Sequence, residues 1–181
     1  MVFLAQKIRR KFAGSPTIVV LTDRDELNRQ ISDTFENCGL LGKTKASQFI
    51  ASSGTDLVKK LQGNPSFVFT LIQKFNLQGA AHLPDHDILI LSDEAHRSQY
   101  GIFADNMMHL LPTASRIGFT GTPLLADDHI TERTFGGYLS VYDFKRAVED
   151  GATVPLYYEN RADKIAQLDK PEITGRIRGC H

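Results

Sequence analysis

"DILILSDEAHRSQYG", residues 87–101, sets an unbroken apolar run directly against two acids, a histidine and an arginine. Ile88 to Leu91 followed by the small Ser92 has the length and character of a strand buried on both faces, and such strands belong to parallel sheets covered by helices. A strand of this kind that stops on Asp93 and Glu94 puts two carboxylates at its carboxyl end. Open α/β sheets carry their functional loops at that edge.

Working outward, three further runs read the same way: "TIVVLTD" (17–23), "SFVFTLI" (66–72) and "SRIGFTGTP" (115–123), the last ending in a Gly and Pro turn. Helical patterns alternate with them. "MVFLAQKIRRKF" is amphipathic and is stopped by "GSP" at 14–16. "RDELNRQISDTFENCG" carries an apolar stripe of Leu27, Ile31, Phe35 and Cys38, with Asp23 or Asp25 as its cap and Gly39 as its stop. "SQFIASS" (47–53) reads as a short weak strand, and "TDLVKKLQG" (55–63) as a helix opening on Thr55. "GIFADNMMHLL" (101–111) and "SVYDFKRAVEDG" (140–151, stopped by Gly151) are helical, and "TVPLYYENR" (153–161) is a last strand. The predicted fold class is α/β, a parallel sheet covered by helices. From Ala162 the periodicity is lost, so 162–181 reads as a linker or ragged tail.

Composition narrows the function classes. The length, 181 residues, suits one ordinary domain, and 41% hydrophobic with 23% charged residues is the usage of a soluble globular chain. Lys plus Arg equals Asp plus Glu at 21 each, so any contact with a polyanion must be local. Cys38 and Cys180 stand far apart without metal spacing, which excludes a disulfide framework or zinc site and points to the cytoplasm. The opening apolar stretch is too short to span a bilayer, and its charges follow rather than precede it, unlike a signal peptide; no membrane is expected.

The acid pair has a definite chemistry. A carboxylate at the mouth of a central strand is held by backbone on both sides, so Asp93 can orient a magnesium ion through its water with little reorganisation. Glu94 projects differently and can polarise a water for in-line attack on a phosphoryl group, with His96 and Arg97 bonding or sensing the result. An apolar strand, a small residue and Asp-Glu-x-His is the Walker B form of a nucleoside triphosphatase. The competing reading makes Asp93 a simple helix cap. What favours function is company: "FTGTP" and "TDRDEL" close the neighbouring strands on the same expected edge.

"VLTDRDELNRQI", "TLIQKF", "LILSDEAHRSQYG", "IGFTGTPL" and "FGGYLSVYDFKRAVEDGATVPLYYENR" resemble successive segments of the first RecA-like motor domain in the R subunit of type I restriction enzymes. These are helicase-like DNA translocases of superfamily two. The resemblance runs from Met1 to about Arg161. It implies ATP and magnesium as cofactors, with Asp93, Glu94 and His96 catalytic and Asp93 on the metal. Arg97, Thr120, Gly121 and Thr122 would couple hydrolysis to movement, and Asp23, Arg24, Gln73 and Lys74 would approach the nucleic-acid backbone. Double-stranded DNA and the methyltransferase and specificity subunits are the implied partners. A non-catalytic DNA-binding or interaction module of the same fold, or another superfamily-two helicase, is the alternative; "RSQYG" and "EDGATVPLYYENR" favour the restriction subunit.

Such a motor needs a phosphate-cradling loop, G-x-x-x-x-G-K-[ST]. "NCGLLGKT" (37–44) approaches it, but Asn37 replaces the first glycine and a helix precedes it where a strand is required. The expectation is therefore a RecA-like P-loop NTPase lobe over 1–161 that lacks its first strand and P-loop, without the nuclease domain and the second lobe. Turnover by this chain alone is expected to be negligible. The lacking strand is expected to leave a gap inside the sheet, flanked by exposed strand edges.

Overall fold

The computed structural model describes residues 1–77, 83, 87–94, 100–121 and 133–155, the side chains of 100–102 excepted. Four strands pair in the order β2-β1-β3-β4, where β1 is Thr17–Thr22, β2 Phe67–Leu71, β3 Ile88–Ser92 and β4 Ser115–Gly118. Every pairing is parallel, as the continuous apolar runs require. β1 is buried along its whole length because strands flank it and helices cover both of its faces.

Alternate residues of each strand feed two cores. Ile18, Val20, Phe67, Phe69 and Leu91 pack with α1 (Val2–Lys11) and α2 (Asp25–Asn37) through Ala5, Ile8 and Phe35. Phe35 meets Phe67 and Phe69 edge-on, with ring centroids 5.5 and 5.3 Å apart, the favoured geometry for aromatic pairs. On the opposite face Val19, Leu21, Val68 and Ile90 pack with α3 (Gly54–Gln62) and α4 (Tyr100–Leu110) through Leu57, Leu61, Ala104 and Met107.

Helix ends follow from local hydrogen bonding. Gly39 adopts φ +74°, the N–H of Leu40 bonds the Phe35 carbonyl at 3.1 Å, and that of Gly39 the Glu36 carbonyl at 2.9 Å. This double bond pattern is the glycine stop expected for α2. α3 differs from expectation: Ser53, not Thr55, is its cap, accepting from the Asp56 N–H at 3.1 Å. Asp56 in turn accepts from the Ser52 N–H at 2.8 Å. At α2 the cap position falls on Arg24 with no side-chain bond, so neither Asp23 nor Asp25 caps it; Asp25 and Glu26 instead sit in the first turn, favourable to the helix dipole.

Three further expectations change. The weak strand at 47–53 is a 3-10 turn, Ala46–Gln48, followed by a single parallel bridge from Ile50 to Phe69. Ser52 and Ser53 are already committed to the α3 cap, so pairing stops after one residue. The buried face of α2 is Asn28, Ser32 and Phe35, and Cys38 is exposed. Finally, no gap interrupts the four strands: β3 lies directly against β1, and β4 against β3. Among the described strands the open edge is β4, whose residues are all at least partly exposed.

The chain divides into two compact units, Met1–Gly137 and Tyr138–His181. In the second, α5 (Phe144–Glu149) is capped by Asp143, which accepts from the Arg146 N–H at 2.9 Å. It stops at Gly151 with φ +68°, as its sequence predicts. The last expected strand lies outside the described residues beyond position 155, and so does the domain boundary expected near 161.

Candidate functional site

The register levels the carboxyl ends of the strands. Leu21 pairs with Ser92, Thr22 with Leu71, and Ser92 with Gly118. The residues that follow therefore emerge on one rim: Asp23 and Arg24 after β1, the 3-10 turn Ile72–Phe75 after β2, Asp93 and Glu94 after β3, and Thr120 and Gly121 after β4. Backbone bonds carry the order one step past the sheet. The Asp93 N–H donates to the Leu21 carbonyl at 2.8 Å, and the Phe119 N–H to the Ser92 carbonyl at 2.8 Å.

Glu94 has φ +51°, the left-handed region that non-glycine residues enter at a cost. That turn separates the two acids. Glu94 joins Asp23, Arg24, Glu26, Leu27 and Gln30 around a polar cleft of about 220 Å³. Asp93 is half-buried, and its carboxyl is pushed above the ordinary carboxylate range, first by burial and also by the charges of Glu94 and Asp23. Asp23 also pairs with Arg24, Nε to Oδ2 at 3.7 Å.

Gln73 is tied into the same rim, donating from Nε2 to the Asp23 carbonyl at 3.0 Å. Lys74 turns the other way, its ammonium donating to the buried Ala51 carbonyl. His96, Arg97 and Thr122 lie outside the described residues. The structure thus gathers Asp23, Arg24, Gln73, Asp93, Glu94, Thr120 and Gly121 at one edge and points Lys74 towards Ala51. The loop after Gly39 lies at the far end of α2, about 20 Å along a 13-residue helix from that rim.

Sequence reasoning missed Gln30 and Glu26, which line the cleft, and Asn28, which is fully buried with neither side-chain amide atom bonded among the described residues. A polar residue one turn ahead of Ser32 and two ahead of Phe35 was the available signal. A second cleft, about 620 Å³, is lined by Leu4, Ile8 and Phe12 of α1 with Leu89 and Ile117. Asp23, Asp93 and Glu94 do not line it, Asp87 is its one acid, and its mostly apolar lining suits packing rather than phosphoryl chemistry.

Comparison with known proteins defines the class. The chain matches the SWI2/SNF2 ATPase family over residues 1–178, and it belongs to that family. It is 39% identical over 181 aligned residues to the type I restriction enzyme HindI endonuclease subunit of Haemophilus influenzae, covering 88% of this chain and 17% of that protein. A protein of Methanocaldococcus jannaschii, provisionally named as the MjaIXP endonuclease subunit of a type I restriction enzyme, is 35% identical over 98% of this chain and 18% of its own length. The SsaAORF53P endonuclease subunit of Staphylococcus saprophyticus is 30% identical over 82% of this chain and 17% of its own. The chain therefore spans under one fifth of these relatives.

Proposed function

We propose that this chain is part of the ATP-driven DNA translocase and endonuclease subunit of a type I restriction system, a cytoplasmic assembly with methyltransferase and specificity subunits. The observation that carries the reading is the half-buried Asp93, held by backbone at a parallel-sheet rim beside Glu94 and the Thr120–Gly121 turn.

The acids fit a hydrated divalent cation. A carboxyl whose ionised form is disfavoured by burial and by two neighbouring acids gains from a nearby dication. Magnesium keeps most of its waters and is commonly held through one or two carboxylates, a requirement that a rim carboxylate such as Asp93 can meet. Asp93 would hold it through water, and the ion would supply charge neutralisation for the phosphates of ATP. Glu94, turned into the polar cleft, would accept a proton from the attacking water. Arg24, exposed on the same cleft, would meet the DNA backbone.

The test is DNA-stimulated ATP hydrolysis. A longer polypeptide containing this chain and a phosphate-cradling loop hydrolyses ATP, and Glu94→Gln lowers that rate by about 10²–10⁴-fold while DNA binding is retained. The 181-residue chain alone turns over negligibly. Unimpaired hydrolysis in Glu94→Gln defeats the assigned role of Glu94. Robust turnover by the short chain defeats the argument that the loop is required. DNA binding without any turnover in the longer polypeptide supports a non-catalytic module instead.

A further inference from the structure

The 3-10 turn Ile72–Phe75 leaves β2 at the rim and is fastened on three sides. Ile72 and Phe75 are buried in the core that contains Ala104 and Met107 of α4. Gln73 Nε2 donates to the Asp23 carbonyl, bridging 50 residues of chain. The Lys74 ammonium donates to the Ala51 carbonyl, two residues before the α3 cap Ser53. Gly54 fixes this third attachment. A Cβ there would stand 2.8 Å from the Lys74 carbonyl oxygen and 2.7 Å from Leu77 Cδ2, so only glycine admits the close approach.

We propose that Gln73 and Lys74 are positioning residues, a latch that joins the Asp23–Arg24 loop to α3 and α4. The proposal deepens the reading of the rim as a nucleotide and DNA site, and rests on it. For these two residues it replaces the nucleic-acid contact that the family resemblance implies. One of the three N–H groups of Lys74 is spent on the buried Ala51 carbonyl and one of the two of Gln73 on the Asp23 carbonyl, so both side chains are tethered to the protein's own backbone. Because α4 follows the acid pair in the chain and packs on the latch, any displacement of α4 is passed to Asp23 and Arg24 through one short turn.

Two measurements decide it. The first is hydrogen exchange on the unliganded 181-residue chain. Gln73→Leu raises exchange over 22–30, and Lys74→Met raises it over 50–57, each by about fivefold, the factor for losing one ordinary hydrogen bond. The strand segments 17–21 and 88–92 keep their protection. Unchanged exchange over 22–30 and 50–57 overturns the latch. Where a variant loosens the whole chain, Gln73→Lys and Lys74→Arg, which restore donors of similar reach, decide: recovered protection supports the latch, and failure to recover overturns it.

The second measurement is duplex-DNA affinity against salt concentration. A phosphate contact contributes about 0.9 to the logarithmic salt slope. Lys74→Met leaves that slope unchanged; a decrease of about 0.9 would show direct phosphate contact and overturn the positioning role. Absence of measurable affinity in the parent chain counts against the proposed function, and the exchange measurement then decides the latch by itself.

Discussion

Asp93 donates its backbone N–H to the Leu21 carbonyl at 2.8 Å, so the strand that delivers the acid pair is still bonded to its neighbour at the first of the two acids. That bond anchors the Asp93 backbone at the rim, where its carboxyl is half-buried beside the charges of Glu94 and Asp23. Its raised proton affinity is the electrostatic result.

That shift has a sign that can be measured. A carboxyl whose native pKa is raised lends stability when protonated: the contribution is complete below the ordinary value of 3.8 and is lost as pH rises through the native value. At neutral pH the folded chain therefore carries a charge it disfavours. Asp93→Asn is expected to raise the unfolding midpoint at pH 7 and to flatten the midpoint's dependence on pH just above 3.8. Thermal unfolding between pH 3 and 7 checks both, and an equal or lower midpoint at pH 7 refutes the burial argument.

Glu36 behaves in the opposite sense. Its carboxylate accepts from the Ala46 N–H at 2.6 Å and pairs with Lys45 at 3.2 Å. These bonds, the backbone one foremost, hold its pKa below the ordinary 4.5. The stabilisation is present above that value and is lost as pH falls through the lower native one. Glu36→Gln should remove this acid-labile part, seen as a smaller fall in midpoint on acidification.

Asn28 offers a test of polarity against packing. A buried amide with no bonded partner costs about 1–3 kcal/mol, and leucine has nearly its shape. Asn28→Leu is expected to raise stability by about that amount in denaturant unfolding. A loss of stability instead shows that Asn28 bonds a partner beyond the described residues.

Phe35 closes the α2 side of the sheet against Phe67 and Phe69. Phe35→Ala should cost about 3–5 kcal/mol. Against a domain stability of about 5–15 kcal/mol, that leaves a chain close to unfolding at room temperature. Circular dichroism through a urea titration measures it.

Much of this architecture was legible because its signals are local. Unbroken apolar runs can satisfy only a strand covered on both faces, which is why β1, β2 and β3 were readable, and Gly39 and Gly151 mark helix stops through a backbone conformation that other residues resist. Pairing order is not local: nothing in Ile88–Ser92 says that Thr17–Thr22 will lie beside it. The rotation of α2 was misread because Leu27 and Ile31 are apolar, yet tertiary packing turned Asn28 and Ser32 inward and left Cys38 in solvent. The rim was legible as a set of strand ends. The engagement of Gln73 with Asp23 was not, since hydrogen bonds spanning 50 residues leave no periodic trace.

The two margins of the sheet are finished differently. Beside β2, the Phe49 carbonyl accepts from the Phe69 N–H at 2.9 Å, and the Ala51 N–H donates to the Phe69 carbonyl at 2.8 Å. Beside β4 no described strand is paired, and the partly buried Arg116, bonded to the Leu111 carbonyl at 2.9 Å, sets a charge there. One bridge thus interrupts the β2 margin while β4 meets no described strand, and an unpaired margin is the one that accepts an added strand.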